Sequence, residues 1–158
     1  MSAPKSRGVG LARIGGYVGQ GRSFETWMHA ARALQESQGE MFPDFDIADW
    51  LTLAKRSMTL GSNGRIVFDY DMKISEPLAT PVSAAPPDLW PLWRALAGRP
   101  VLVLRGAMSD ILSPETAARM IAEVPDAELV TLPRIGHAPT LDEPEAVAAI
   151  ERLLDRAE

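Results

Sequence analysis

Two apolar runs on either side of a helix-coded segment constrain this chain more than anything else in it. The first is "RPVLVLRG", Arg99–Gly106, and the second is "AELVTLP", Ala127–Pro133. Neither shows a sustained apolar–polar alternation of the kind that marks a half-exposed strand. The continuous "VLVL" suits a strand buried on both faces, as in a parallel sheet. Between the runs lies "SPETAARMIAEVP". Ser113 is placed to cap a helix, Pro114 falls at its first position, and Glu115 complements the positive end of the helix dipole. "DLWPLWRALAG" predicts a short helix before the first run, closed by Gly98. "DEPEAVAAIERLLDRAE" predicts an amphipathic helix after the second, with Asp142 and Glu145 at capping-box spacing. Helix–strand–helix–strand–helix is part of an α/β layered fold with a parallel sheet.

Upstream the character changes. "EPLATPVSAAPPD", residues 76–88, is rich in proline and small residues and reads as a connector. The expected organisation is an unmatched segment at 1–9, a helical region at 10–75, the connector at 76–88, and an α/β portion at 89–158. The 10–75 region reads as helical without a sheet. In "SFETWMHAARALQESQG", Ser23 is a candidate N-cap and Gly39 a candidate stop, with Phe24, Trp27, Met28, Ala31 and Leu34 at helical spacing. In "DFDIADWLTLAKRSMTLG", Asp46 is the candidate cap, and Ile47, Trp50, Leu51, Ala54 and Met58 form the face. Such aromatic and Met-rich faces either line a pocket or fill a core, and core is the commoner use. "RIVFDYDM" alternates too weakly to assign as a strand.

Composition narrows the function classes. Hydrophobic residues make up 46% and charged residues 23% of the 158, which is ordinary for a globular protein. A net charge of −5 argues against nucleic acid or an anionic membrane surface as the main partner. The longest unbroken Val/Leu run is far too short to span a bilayer. No apolar stretch of signal-peptide type follows Lys5 and Arg7, so the expected location is the cytoplasm. The sequence has no cysteine, which removes thiolate catalysis, disulfides and zinc–thiolate sites.

In an open parallel sheet, chemistry gathers at the carboxyl ends of the strands. Two polar loops are expected there: "GAMSDILS" with Asp110, and "PRIGHAPT" with His137. A carboxylate that reaches an imidazole fixes its tautomer and stabilises the imidazolium formed during acyl transfer. Each residue also has a plainer reading. Asp110 could serve only as a cap near Ser113, and His137 could be an ordinary loop histidine; their joint placement after two parallel strands favours chemistry. The other histidine, His29, lies within the first predicted helix with no carboxylate at useful spacing, and is read as structural.

"RPVLVLRGAMSDILSPETAARM" followed by "AELVTLPRIGHAPTLDEPEAV" resembles the C-terminal part of the α/β-hydrolase superfamily. The separation of Asp110 and His137, 137 − 110 = 27 positions, fits that pattern. "GLARIGGYVGQGRSFETWMHAARALQESQGEMFPDFDIADWLTLAKRSM" is similar to the helical cap such hydrolases insert before the acid. The likeness runs from about Gly10 to Leu154. It implies a partial α/β-hydrolase fold, a helical cap followed by the last strands and helices of a parallel sheet. It also implies Asp110 as the triad acid and His137 as the base, water as second substrate, and no metal or organic cofactor.

One part of the family pattern is missing. The nucleophilic serine of the family sits in a G-x-S-x-G elbow, and these 158 residues contain none. Ser23 lies in "GQGRSF", Ser62 in "LGSNGR" and Ser109 in "GAMSDI". The expected reading is therefore a C-terminal portion of a serine hydrolase acting on an ester-like or C–C bond of a small apolar substrate. It would supply Asp110 and His137, be inactive alone, and be completed by an N-terminal hydrolase half. The alternatives are a non-catalytic module that pairs through an exposed sheet edge, as a homodimer or with another chain, and a small-molecule binder that uses the cap alone.

Overall fold

The computed structural model describes residues 13–16, 18–76 and 87–157. The 1–9 segment and nearly all of the connector expected at 76–88 lie outside them. The described residues divide into two compact units, one within 13–76 and the other within 87–157.

The first unit combines two helices with a small sheet. Helix α1 (Trp27–Gln38) begins at Thr26, whose hydroxyl accepts from the His29 N–H at 3.2 Å. Ser23, the expected cap, is instead paired in a strand. Helix α2 (Ile47–Ser57) begins at Asp46, and Asp46 and Asp49 form a reciprocal capping box, each carboxylate accepting from the other residue's N–H. Ala30, Ala31 and Leu34 of α1 and Trp50 and Ala54 of α2 are buried, and the small alanines let the two helices approach closely. Trp50 is 1% exposed and lies edge-on to Phe42 and Phe45, with centroids 6.0 and 5.2 Å away. Trp50, Leu34 and Met58 are thus core. Met28 and Ile47, expected on the same faces, are exposed.

The unit also contains a sheet that the sequence did not announce. Strands β1 (Ser23–Phe24), β2 (Met58–Leu60) and β3 (Ile66–Phe68) pair antiparallel in the order β1-β3-β2. Each is two or three residues long, too short for a period of two to emerge from the noise of composition. The tertiary pairing makes the strands: "RIVF" becomes the central one because it gains ladder bonds on both edges. Phe24 meets Phe68 edge-to-face at 6.4 Å across the β1–β3 pair.

The second unit follows the expected order. Helix α3 (Trp90–Arg94) precedes strand β4 (Val101–Gly106); helix α4 (Pro114–Glu123) leads to strand β5 (Ala127–Leu132); helix α5 (Pro144–Asp155) closes the chain. Strands β4 and β5 are parallel and in register, from Val101 opposite Ala127 to Gly106 opposite Leu132. Gly98 closes the α3 segment with φ of 78°, a left-handed conformation that glycine adopts without a Cβ penalty. Helix α4 starts as its sequence dictates, with the Ser113 hydroxyl accepting from the Thr116 N–H at 3.1 Å and Pro114 at the first position. Helix α5 packs on both strands and buries Ala146 and Ala149 completely. Helix α3 is pinned to α4 where Trp93 Nε1 donates to the Met120 carbonyl at 2.8 Å, and where the Arg119 guanidinium lies 3.8 Å over the Trp90 ring.

The capping box expected at Asp142 and Glu145 does not form. Helix α5 has Glu143 as its N-cap residue, with no side-chain cap bond. The Glu143 carboxylate turns back instead and accepts from the backbone N–H groups of Thr140 and Leu141, both at 2.9 Å. Leu141 adopts φ of 69°. The helix starts one residue later than the pattern predicts, so Glu143 rather than Asp142 takes the N-cap position, and its carboxylate serves the preceding loop.

Candidate active site

Strands β4 and β5 are level at their carboxyl ends because they are in register through Gly106 and Leu132. Asp110 therefore lies four residues past the end of one strand and His137 five residues past the end of the other. The loops that carry them are joined by backbone hydrogen bonds. The Ala107 N–H donates to the Leu132 carbonyl at 2.8 Å, and the Met108 N–H to the Ile135 carbonyl at 2.9 Å. Gly106 makes this contact possible. A Cβ there would fall under 3.0 Å from the carbonyl oxygens of both Ile135 and Gly136, so only a residue without a side chain lets the second loop fold over the end of β4.

The acid loop is closed internally. The Ser109 N–H donates to the Gly106 carbonyl at 3.0 Å, and the Ser109 hydroxyl accepts from the Ile111 and Leu112 N–H groups at 3.3 and 3.0 Å. Ser109 thus turns the chain around Asp110, which its position in "GAMSDI" did not reveal. Asp110 is buried, 5% exposed, and His137 is half-buried. A carboxyl group taken this far out of water is costly unless other groups compensate it. Its setting differs from that of an exposed helix cap, the plainer reading of the sequence.

Two residues that the sequence reading passed over hold the loops. Arg105 sits in "VLVLRG" and is 6% exposed. Its Nε donates to the Leu112 carbonyl at 2.8 Å and its Nη2 to the Ala107 carbonyl at 3.4 Å, the two ends of the segment around Asp110. A cation inside an otherwise apolar strand was the available signal. Glu143 does the equivalent for the histidine loop through Thr140 and Leu141; its signal was masked by the nearby helix start. His29 is exposed near the start of α1, in the other unit. Among the described residues, no group of three or more histidines or carboxylates is arranged to hold a metal ion.

A buried carboxylate loop is thus bonded to a histidine loop at the carboxyl edge of two parallel strands, and comparison with known proteins shows the family of the fold that carries them. The model of the alpha/beta hydrolase family matches residues 3–150. The chain belongs to the α/β-hydrolase family. Other members share sequence and structure with it. A 3-hydroxybutyrate-oligomer hydrolase of Cupriavidus necator is 33% identical over 155 residues, covering 92% of this chain and 51% of its own. The crystal structure of an α/β hydrolase from Novosphingobium aromaticivorans is 68% identical and superimposes with a TM-score of 0.85, covering 98% of this chain and 54% of its own. An esterase of M. tuberculosis, 17% identical, shares the fold with a TM-score of 0.62 over 98% of this chain and 52% of its own. This family member spans about half the length of each of these relatives. Its fold is accordingly a partial α/β-hydrolase fold. Among the described residues, no helix is long and apolar enough to cross a membrane.

Proposed function

We propose that this chain supplies the acid, Asp110, and the base, His137, of a serine-hydrolase triad that cleaves an ester bond in a small apolar substrate. One observation carries the reading: the two loops are hydrogen-bonded to each other at the carboxyl ends of β4 and β5, with Asp110 buried in one and His137 in the other. The name of the C. necator relative favours an ester, of the hydroxyacid-oligomer kind, over a C–C bond.

The chemistry follows from the groups. His137 takes the proton of the attacking hydroxyl as the oxygen bonds to the substrate carbonyl carbon, then gives it to the leaving alcohol as the C–O bond breaks. Water repeats the sequence on the acyl intermediate and restores the serine. Asp110 keeps the imidazole in the tautomer that presents a free nitrogen to the nucleophile and stabilises the cation between the two transfers. The serine comes from outside these 158 residues, which hold no G-x-S-x-G.

The partner proposed with this reading is an N-terminal hydrolase half. Strands β4 and β5 form a sheet of two among the described residues, so each has one paired edge. An open strand edge offers backbone donors and acceptors to a further strand. A second reading rests on the same edge: a non-catalytic module that pairs through it, as a homodimer or with another protein.

Co-expression with the part of the N. aromaticivorans relative that this chain does not match, the shared part being 68% identical, tests the proposal with p-nitrophenyl butyrate. Turnover is expected from the pair and not from this chain alone. Replacing His137 with Ala, or Asp110 with Asn, is expected to lower kcat by roughly 10³-fold or more, as removal of a triad member does. Equal turnover with His137→Ala would reject the triad reading. His137-dependent turnover by the chain alone would reject the external nucleophile.

A further inference from the structure

We infer that Arg105 is a positioning residue: it sets the place of Asp110, and through Asp110 the protonation of His137. The inference rests on the triad reading above. Arg105 stands in the middle of the question of why a cation is buried in an apolar strand at all. Burying a guanidinium is expensive unless its N–H groups are satisfied. Here the donors go to main-chain carbonyls, Leu112 from Nε and Ala107 from Nη2. Those carbonyls flank Asp110 on either side, two residues after it and three before it. The planar guanidinium holds both at once, in a geometry that a lysine ammonium cannot copy. The loop between them is short and is also turned by Ser109. Its backbone has little freedom left, and the Asp110 Cα is fixed relative to the end of β4.

The neighbouring loop is anchored to the same stretch, because Met108 N–H donates to the Ile135 carbonyl. Displacing residues 107–112 therefore changes the Asp110–His137 relationship rather than merely loosening an isolated turn. Ser113, by contrast, caps helix α4 just beyond the clamped segment. Loss of that cap costs stability without releasing either carbonyl that Arg105 holds.

The titration of His137, followed by NMR on the full chain, tests this. His29→Gln identifies the signal, as the chain has two histidines. Asp110→Asn is expected to lower the His137 pKa by about one unit, the effect of removing a nearby carboxylate. Arg105→Lys keeps the positive charge and removes the two-pronged hold on the carbonyls; it is expected to lower the same pKa by about half a unit, because the carboxylate is no longer held in place. Arg105→Met removes the buried cation as well, which by itself raises the pKa of a neighbouring imidazole, so it is expected to titrate above Arg105→Lys. Ser113→Ala is expected to leave the titration unchanged. If folded Arg105→Lys titrates as the unaltered chain does while Asp110→Asn still lowers His137, the role of Arg105 is overturned and the triad reading stands. An equal shift in Ser113→Ala would also overturn it, since any loosening would then suffice. No shift in Asp110→Asn would overturn the triad reading and this inference together.

Discussion

Gly106 at the end of β4 and Gly136 in the histidine loop are in such close approach that no side chain fits between them. A Cβ on Gly106 would fall under 3.0 Å from the Gly136 carbonyl oxygen, and also from that of Ile135. The obstructing atoms are backbone, which cannot swing aside as a flexible side chain would. This contact joins the two loops that carry Asp110 and His137.

Gly106→Ala should therefore act as an overpacking change, with a cost of about 1–3 kcal/mol. Chemical denaturation of the variant and the unaltered chain measures it. A change within about 0.5 kcal/mol, the usual range for surface substitutions, would mean that the loops separate easily. The same variant should weaken any triad activity, because the strain falls on the contact between the loops.

Glu143→Ala removes an acceptor from two backbone donors at once. The Thr140 and Leu141 N–H groups then rely on solvent. The expected loss is about 1–2 kcal/mol, toward the lower end for hydrogen bonds to a charged group because the site is half-open. Hydrogen exchange at Thr140 and Leu141 is the sharper readout, and both should exchange faster. If Glu143 were simply a helix N-cap, protection would be lost within α5 instead.

The pH dependence of stability has a defined sign at Glu123. Hydrogen bonds from Arg94 and then Arg119 hold its carboxyl below the ordinary value of 4.5. A carboxyl whose pKa is lower when folded stabilises the fold above its unfolded pKa and loses that contribution as pH falls through the folded value. Glu123→Gln should thus be less stable than the unaltered chain at pH 7, with the difference closing below pH 4.5. High salt should narrow it at neutral pH, since both arginines are about half exposed. Thermal melts of the two proteins across pH 3–7 would show a constant gap if the ion pairs contribute nothing.

Trp50→Ala tests the assignment of the aromatic face to the core of the first unit. The ring is 1% exposed and packed against Phe42 and Phe45. Deleting it should cost about 3–5 kcal/mol and open a cavity. A ring that lined a substrate pocket would give a far smaller change in melting and a larger one in ligand binding.

The sequence alone determined the elements whose signals are local. Ser113 and Pro114 start α4, Asp46 starts α2, and the apolar runs become β4 and β5, because caps, fixed φ angles and unbroken hydrophobicity act within a few residues. Order along the chain also placed Asp110 and His137 just past two parallel strands. Where one residue had several partners within reach, near or distant in sequence, local signals failed. Ser23 looked like a cap but pairs with Val67, and Asp142 looked like a cap but the neighbouring Glu143 serves the preceding loop. Arg105 drew no reading of its own within its apolar run, yet it donates to the Leu112 and Ala107 carbonyls on either side of Asp110. Only the tertiary structure decides such choices: a strand two residues long, a carboxylate's preferred donors and a buried cation's acceptors are each set by which groups the fold brings within hydrogen-bond reach.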